Sequence, residues 1–186
     1  MKNEVITFQN VYLNNASSLV GKKEFEGPLG ARFDAFEKDE YFGCKSFEEA
    51  ESEMVRRNLN LLLAKSNLSY ENIDILFGGD LINQCTATSY SISDTRIPFI
   101  GLYGACSTFI EGTILSSCMI ESGFAGKCIS FASSHFCAAE RQYRFPLEYG
   151  STRTPTSQNT VTGTGALLLS DQKSDIKIKN AVRTNH

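Results

Sequence analysis

Three residues of this chain are suited to chemistry, and each stands just after a stretch that reads as a buried strand: Asp80, Cys106 and His135. The sharpest signal surrounds the cysteine. Ile97-Pro98-Phe99-Ile100-Gly101-Leu102-Tyr103-Gly104-Ala105-Cys106-Ser107-Thr108 reads as a short strand, a tight glycine-containing turn and a cysteine at the first turn of a helix. Apolar residues at helical spacing (Phe109, Ile110, Ile114, Leu115, Cys118, Met119) carry that helix to about Gly123. A thiol placed there meets unpaired backbone N–H groups and the positive end of the helix dipole, which both favour thiolate. Cys106 is therefore the candidate nucleophile, against the competing reading of a small buried hydrophobe. Asp80 either joins a site with Cys106 or caps the helix starting near Asn83. His135 is either a site residue or a histidine satisfied within its own loop. In open α/β sheets ligands bind beyond the carboxyl ends of the strands, so these three side chains are expected on one edge.

A second cluster, Glu140-Arg141-Gln142-Tyr143-Arg144-Phe145-Pro146-Leu147-Glu148-Tyr149-Gly150, mixes guanidinium groups with aromatics. Arginine pairs bidentately with carboxylates and flat rings stack, so a small planar acid would suit it. A surface or interface loop held by local salt bridges is the competing reading. Phosphate fingerprints are absent: the chain has neither GxxxxGK[ST] nor a strand-linked GxGxxG. Gly163-Thr164-Gly165 lies inside a strand pattern, where it reads as permitting close packing. A hydrolase elbow of the form GxCxG would need glycine where Thr108 stands.

The elements that must position these residues follow from periodicity and punctuation. Residues 4–8 and 10–14 read as strands, with Asn14-Asn15-Ala16-Ser17-Ser18 as a break. Residues 21–45 read as an excursion whose Phe33, Phe36, Tyr41 and Phe42 need something to pack on. A capping box, Ser46 and Glu49, opens a helix that should stop near Asn67. Ile73–Phe77, Pro98–Leu102, Cys128–Ala132 and Val161–Leu169 read as strands, Asn83–Asp94 as a polar helix, and Ile176–Val182 as the start of another strand. Residues 72–137 hold only seven charged side chains, about half the density of the whole chain. Near-continuous apolar strands alternating with helices point to a parallel α/β sheet covered on both faces.

Composition narrows the function classes. The 186 residues suit one α/β domain, and 41% hydrophobic with 21% charged residues is typical of globular proteins. A net charge of −3 without a basic run argues against a nucleic-acid surface. No apolar run approaches the roughly 20 residues that span a bilayer, and Met1-Lys2-Asn3-Glu4 opens no secretory signal. The six cysteines form no CxxC pair, and two histidines offer no zinc spacing, so a reducing compartment and no metal site are expected.

Several separated motifs form a set: Glu26-Gly27-Pro28-Leu29-Gly30, Gly79-Asp80-Leu81-Ile82-Asn83-Gln84, Gly104-Ala105-Cys106-Ser107-Thr108, Ser133-Ser134-His135, Glu140-Arg141-Gln142-Tyr143-Arg144-Phe145-Pro146 and Thr160-Val161-Thr162-Gly163-Thr164-Gly165-Ala166. Together they resemble the stage V sporulation protein AD family of endospore-forming Firmicutes, within the thiolase-like superfamily. The resemblance implies an α/β thiolase-like half: a layered, mixed five-stranded sheet of order 3-2-1-4-5, the fifth strand antiparallel, with helices on both faces. Residues 1–175 would be this N-terminal half, and 176–186 the start of a second half or a tail.

What the family implies about function follows. Cys106 stands where condensing enzymes carry their nucleophile, while the groups that activate it come mainly from a second half. The family points to binding of dipicolinic acid, with or without calcium, and its uptake into the developing spore together with spore membrane proteins. Asp80, Asn83, Cys106, His135, Arg141 and Arg144 would form the ligand site, without a cofactor. An acyl-transferring condensing enzyme using Cys106 is the alternative. The family further implies a homodimer through the strand near Pro98–Leu102, with Ile100 close to the axis. A cytoplasmic location, or a peripheral one at the spore inner membrane, is expected.

Overall fold

In the computed structural model, which describes residues 4–143 and 159–183, the chain runs β1 (Glu4–Thr7), β2 (Tyr12–Gly21), α1 (Lys22–Phe25), β3 (Ala35–Glu37), α2 (Phe47–Ser66), β4 (Ile75–Gly79), α3 (Thr86–Ser91), β5 (Phe99–Gly101), α4 (Thr108–Glu121), β6 (Lys127–Ser134), α5 (Phe136–Tyr143), β7 (Gly163–Ser170), β8 (Ile176–Lys177) and β9 (Asn180–Arg183). Alternation along the strands explains the layers. Leu76, Ile129, Phe131, Ala166 and Leu168 meet Val55, Leu59, Leu62 and Leu63 of α2 on one face. Their neighbours Ile75, Phe77, Cys128 and Leu169 meet Leu115, Met119 and Ile120 of α4 on the other. Period-two strands thus feed two cores, and each fully buried Leu or Phe contributes roughly 1.5–3 kcal/mol.

The main sheet has the order β3-β2-β7-β6-β4-β5, with β8 also against β2. β4 pairs parallel with β5 and β6, whereas β7 lies antiparallel between β6 and β2. Four parallel strands and an antiparallel fifth are as expected. The strand order is not. Numbering the five long-range strands along the chain gives 3-2-4-5-1 rather than 3-2-1-4-5. Burial supplies the reason: every residue of β4 is buried, as a central strand requires, while β2 carries half-exposed Asn14 and Asn15 and exposed Ala16 toward the sheet margin.

The break expected at Asn14–Ser18 is instead continuous strand. A register shift between Leu13 and Asn15 absorbs the irregularity. The polar side chains find partners: Asn14 donates to the Gln172 carbonyl at 2.9 Å, and the Ser17 hydroxyl to the Asn58 carbonyl at 3.1 Å. The excursion packs as anticipated at Phe42, which is buried, while Phe36 stacks on Phe25 and Tyr41 on Phe47.

Helix α2 follows its punctuation closely. The Glu49 N–H donates to Ser46 Oγ at 3.2 Å, and Asn67 ends the helix in the left-handed region at φ 52°. The box is shifted by one residue, since the Glu49 carboxylate accepts from the Lys45 N–H rather than that of Ser46. The polar helix expected over Asn83–Asp94 is shorter. Gln84 and Cys85 are both left-handed, which divides a 3₁₀ turn at Asn83–Cys85 from α3. The last expected strand is likewise divided into β8 on β2 and β9 on β1.

Candidate functional site

Cys106 sits one turn earlier than its sequence pattern suggests. It occupies a 3₁₀ turn at Ala105–Ser107, and α4 begins at Thr108. Ala105 causes the offset: its φ of 49° is left-handed and cannot continue into an α-helix. The turn is tied by Ser107, whose N–H and hydroxyl both donate to the Gly104 carbonyl at 3.0 and 2.8 Å. Gly104 N–H donates to Thr108 Oγ1 at 3.1 Å. A Cβ on Gly104 would lie 2.4 Å from Ser107 Oγ, so a larger residue would force that hydroxyl to swing off the Gly104 carbonyl. This strained turn leaves Cys106 exposed.

Cys106 lines an open groove of about 450 Å³ with Leu81, Phe109, Ser133, Ser134 and Thr160 among its walls. The ends of β4, β6 and β7 therefore do converge at the cysteine, as the α/β topology demands. The side chains of Asp80 and His135 do not join it. Asp80 is buried, and its carboxylate accepts from the Ile82 N–H, the Thr88 N–H and the Thr88 hydroxyl, each at 2.8 Å. It anchors the start of α3. Burial raises its pKa, and those three donors oppose the rise.

His135 faces a different, smaller cavity lined by Gly21, Glu24, Glu40, Cys137 and Thr162. Its Nε2 lies 2.8 Å from the Glu40 carbonyl, which can only accept, so Nε2 carries the proton. Nδ1 has no partner among the described residues, and burial holds the imidazole below its ordinary pKa. The ring also stacks on Phe47, with centroids 5.3 Å apart. Thus Asp80, Cys106 and His135 share a sheet edge without sharing a pocket.

The other predicted ligands divide similarly. Arg141 pairs with Glu48 at 3.1 Å and lies over the Phe47 ring, so it serves a local salt bridge. Asn83 is exposed, and its N–H donates to Gln142 Oε1 at 3.0 Å. Arg144 lies outside the described residues. Gly163 packs tightly, since a Cβ there would lie 3.3 Å from Val20 Cγ1, whereas a Cβ on Gly165 would make ordinary contact with Phe109 at 3.7 Å.

Sequence reasoning misses Glu51. It is fully buried on α2, and Ser133, a wall of the groove, donates its hydroxyl to Glu51 Oε1 at 2.8 Å. Its pKa is pushed up to about 8, first by burial, with Asp80 and Glu48 adding to the rise and the Ser133 and His135 hydrogen bonds opposing it. A signal exists in the sequence. Phe47, Glu51, Val55, Asn58 and Leu62 recur at helical spacing, which sets a carboxylate on the apolar stripe.

The fold is shared with condensing enzymes. OleA of Xanthomonas campestris (H285N variant) superposes with a TM-score of 0.57 at 16% identity, over 88% of this chain and 57% of that one. The 3-oxoacyl-[acyl-carrier-protein] synthase III of Aquifex aeolicus gives a TM-score of 0.52 at 20% identity, over 94% and 55%. The architecture is therefore thiolase-like.

Residues 2–184 match the family model of stage V sporulation protein AD. Stage V sporulation protein AD of Bacillus subtilis (strain 168) is 39% identical over 171 residues, covering 92% of this chain and 51% of that protein. The chain belongs to the stage V sporulation protein AD family. It spans about half the length of that curated relative.

Proposed function

We propose that this protein binds dipicolinic acid in the Cys106 groove and assists its uptake into the developing spore. The observation that carries the reading is an exposed Cys106 flooring an open groove in a member of a sporulation family. The groove has the chemistry for a small planar diacid. Phe109 offers an aromatic ring on which a planar acid can stack, and Thr160 offers a hydroxyl group. The same reading pairs two copies through β5, an edge strand, and puts the protein peripherally at the spore inner membrane beside membrane partners. Among the described residues no helix is long and apolar enough to cross a membrane.

Calorimetric titration with dipicolinate, run with and without calcium, tests the reading. Binding in the wild type and a weaker heat in Cys106→Trp, which would fill the groove, are expected. No heat at millimolar ligand defeats it.

A second reading, acyl transfer by Cys106, is favoured by the left-handed Ala105, since strain of this kind concentrates at functional turns. In that case the thiol would displace the thiolate of an acyl-CoA and keep the acyl group as a thioester. Incubation with acyl-CoA of several chain lengths followed by intact mass measurement decides it. Unmodified protein throughout counts against transfer.

A further inference from the structure

Glu51 is used by nothing described so far. A carboxyl group with zero exposure is expensive as an anion, and natural proteins keep such groups only where they are paired. No cation pairs with this one: among the described residues Oε1 accepts from Ser133 and Oε2 makes no hydrogen bond. Ser133 belongs to the groove wall that Cys106 shares. Ser133 therefore stands between the Glu51 carboxyl and the space a ligand would enter.

We propose that Glu51 is a proton-binding residue that sets the charge behind the Cys106 groove, admitting an anionic ligand when neutral and repelling it when ionised. The proposal rests on the groove being an anion site and names what regulates it. Other charged groups face Glu51 from the elements around it. Asp80 approaches from the end of β4, and Glu48 lies one turn away on α2 and is paired with Arg141 of α5, while the end of β6 presents the His135 backbone N–H rather than its ring. Helix α3 carries no charged side chain. Asp80 and Glu48 both disfavour a further negative charge, and burial pushes the Glu51 carboxyl up to about 8. Glu51 is then mostly protonated at neutral pH and loses its proton to solvent as the medium turns alkaline. Ser133 keeps donating to the carboxylate, so the change reaching the groove is one of charge rather than of geometry.

Cys106 supplies its own probe. Iodoacetate is an anion and iodoacetamide a neutral analogue, and both consume the same thiolate, so the ratio of their rates at Cys106 reports the local potential alone. That ratio is expected to fall about three- to tenfold between pH 7 and pH 9.5 in the wild type. In Glu51→Gln, which keeps the shape and removes the charge, it is expected to stay flat. Ser133→Ala deletes a bond that favours the ionised form, so its fall should move to higher pH, and this variant decides the matter should Glu51→Gln fail to fold. A flat wild-type ratio, or an equal fall in Glu51→Gln, overturns the inference. Dipicolinate takes no part in this measurement, so its failure to bind would overturn the proposed ligand and leave the role of Glu51 to be settled by the ratio.

Discussion

The Ser133 hydroxyl donates to the Glu51 carboxyl at 2.8 Å across 82 positions of sequence, joining the end of β6 to the middle of α2. This bond spans the layer between sheet and helix directly behind the Cys106 groove. Burial of this carboxyl, which the bond offsets only in part, makes the stability of the fold depend on pH.

Glu51 ionises near 4.5 in an unfolded chain and at about 8 in the folded one. The folded state therefore holds more protons between these values, and stability falls as pH rises through that window, by at most roughly 1.4 kcal/mol per unit. Glu51→Gln should lose this slope and become the more stable protein at pH 7.5. Urea unfolding at pH 5.5 and 7.5 checks it. Parallel pH dependence in the two proteins would refute the assignment.

His135 acts in the opposite sense. Its folded pKa lies below 6.5, so its contribution is complete above pH 6.5 and is lost as pH falls toward the folded value. His135→Gln should lessen acid sensitivity below pH 6.5 and cost about 1 kcal/mol at neutral pH through the altered bond to Glu40. Thermal melts from pH 5 to pH 7 measure both effects.

Cys106 should be the first of the six thiols to alkylate at neutral pH. Cys85 and Cys128 are buried, and burial drives the Cys128 thiol up to about 12. Burial also raises Cys44 and Cys137. Peptide mass spectrometry after brief iodoacetamide treatment gives the order, and faster labelling of Cys44 or Cys137 would contradict it.

Gly79→Ala should destabilise the fold by about 3 kcal/mol. A Cβ at this position would stand 1.8 Å from the Leu102 carbonyl oxygen, a backbone atom that cannot swing away. The displaced segment leads directly into the Cys106 turn, so faster proteolysis there should accompany the lower melting temperature.

Ile100 is 41% exposed on β5, an edge strand, with Tyr103 and Ile110 also exposed nearby in sequence. If two copies meet at this edge, Ile100→Lys brings two cations together and yields monomer or aggregate by light scattering. A stable dimer in the variant would move the interface elsewhere.

Helix caps and buried strands are legible in the chain because they depend on neighbours within a few residues. Ser46 and Asn67 mark both ends of α2 because caps act on the first and last turns. Near-continuous apolar runs mark β4, β6 and β7 as strands buried on both faces, and the glycine-bounded turn marks Cys106 as the residue after a strand. Tertiary structure decided everything that rests on distant pairing. β2 continues through an Asn/Ser run because β7, some 150 residues onward, completes its ladder, and the same pairing puts the fifth strand between the fourth and the first. Asp80, Cys106 and His135 each leave a strand at the expected edge, yet Thr88 turns the first inward and Glu40 draws the last into another cavity. Glu51 becomes a site residue only through Ser133. Local periodicity reports which face a side chain occupies, whereas the partner waiting on that face is chosen by packing between layers.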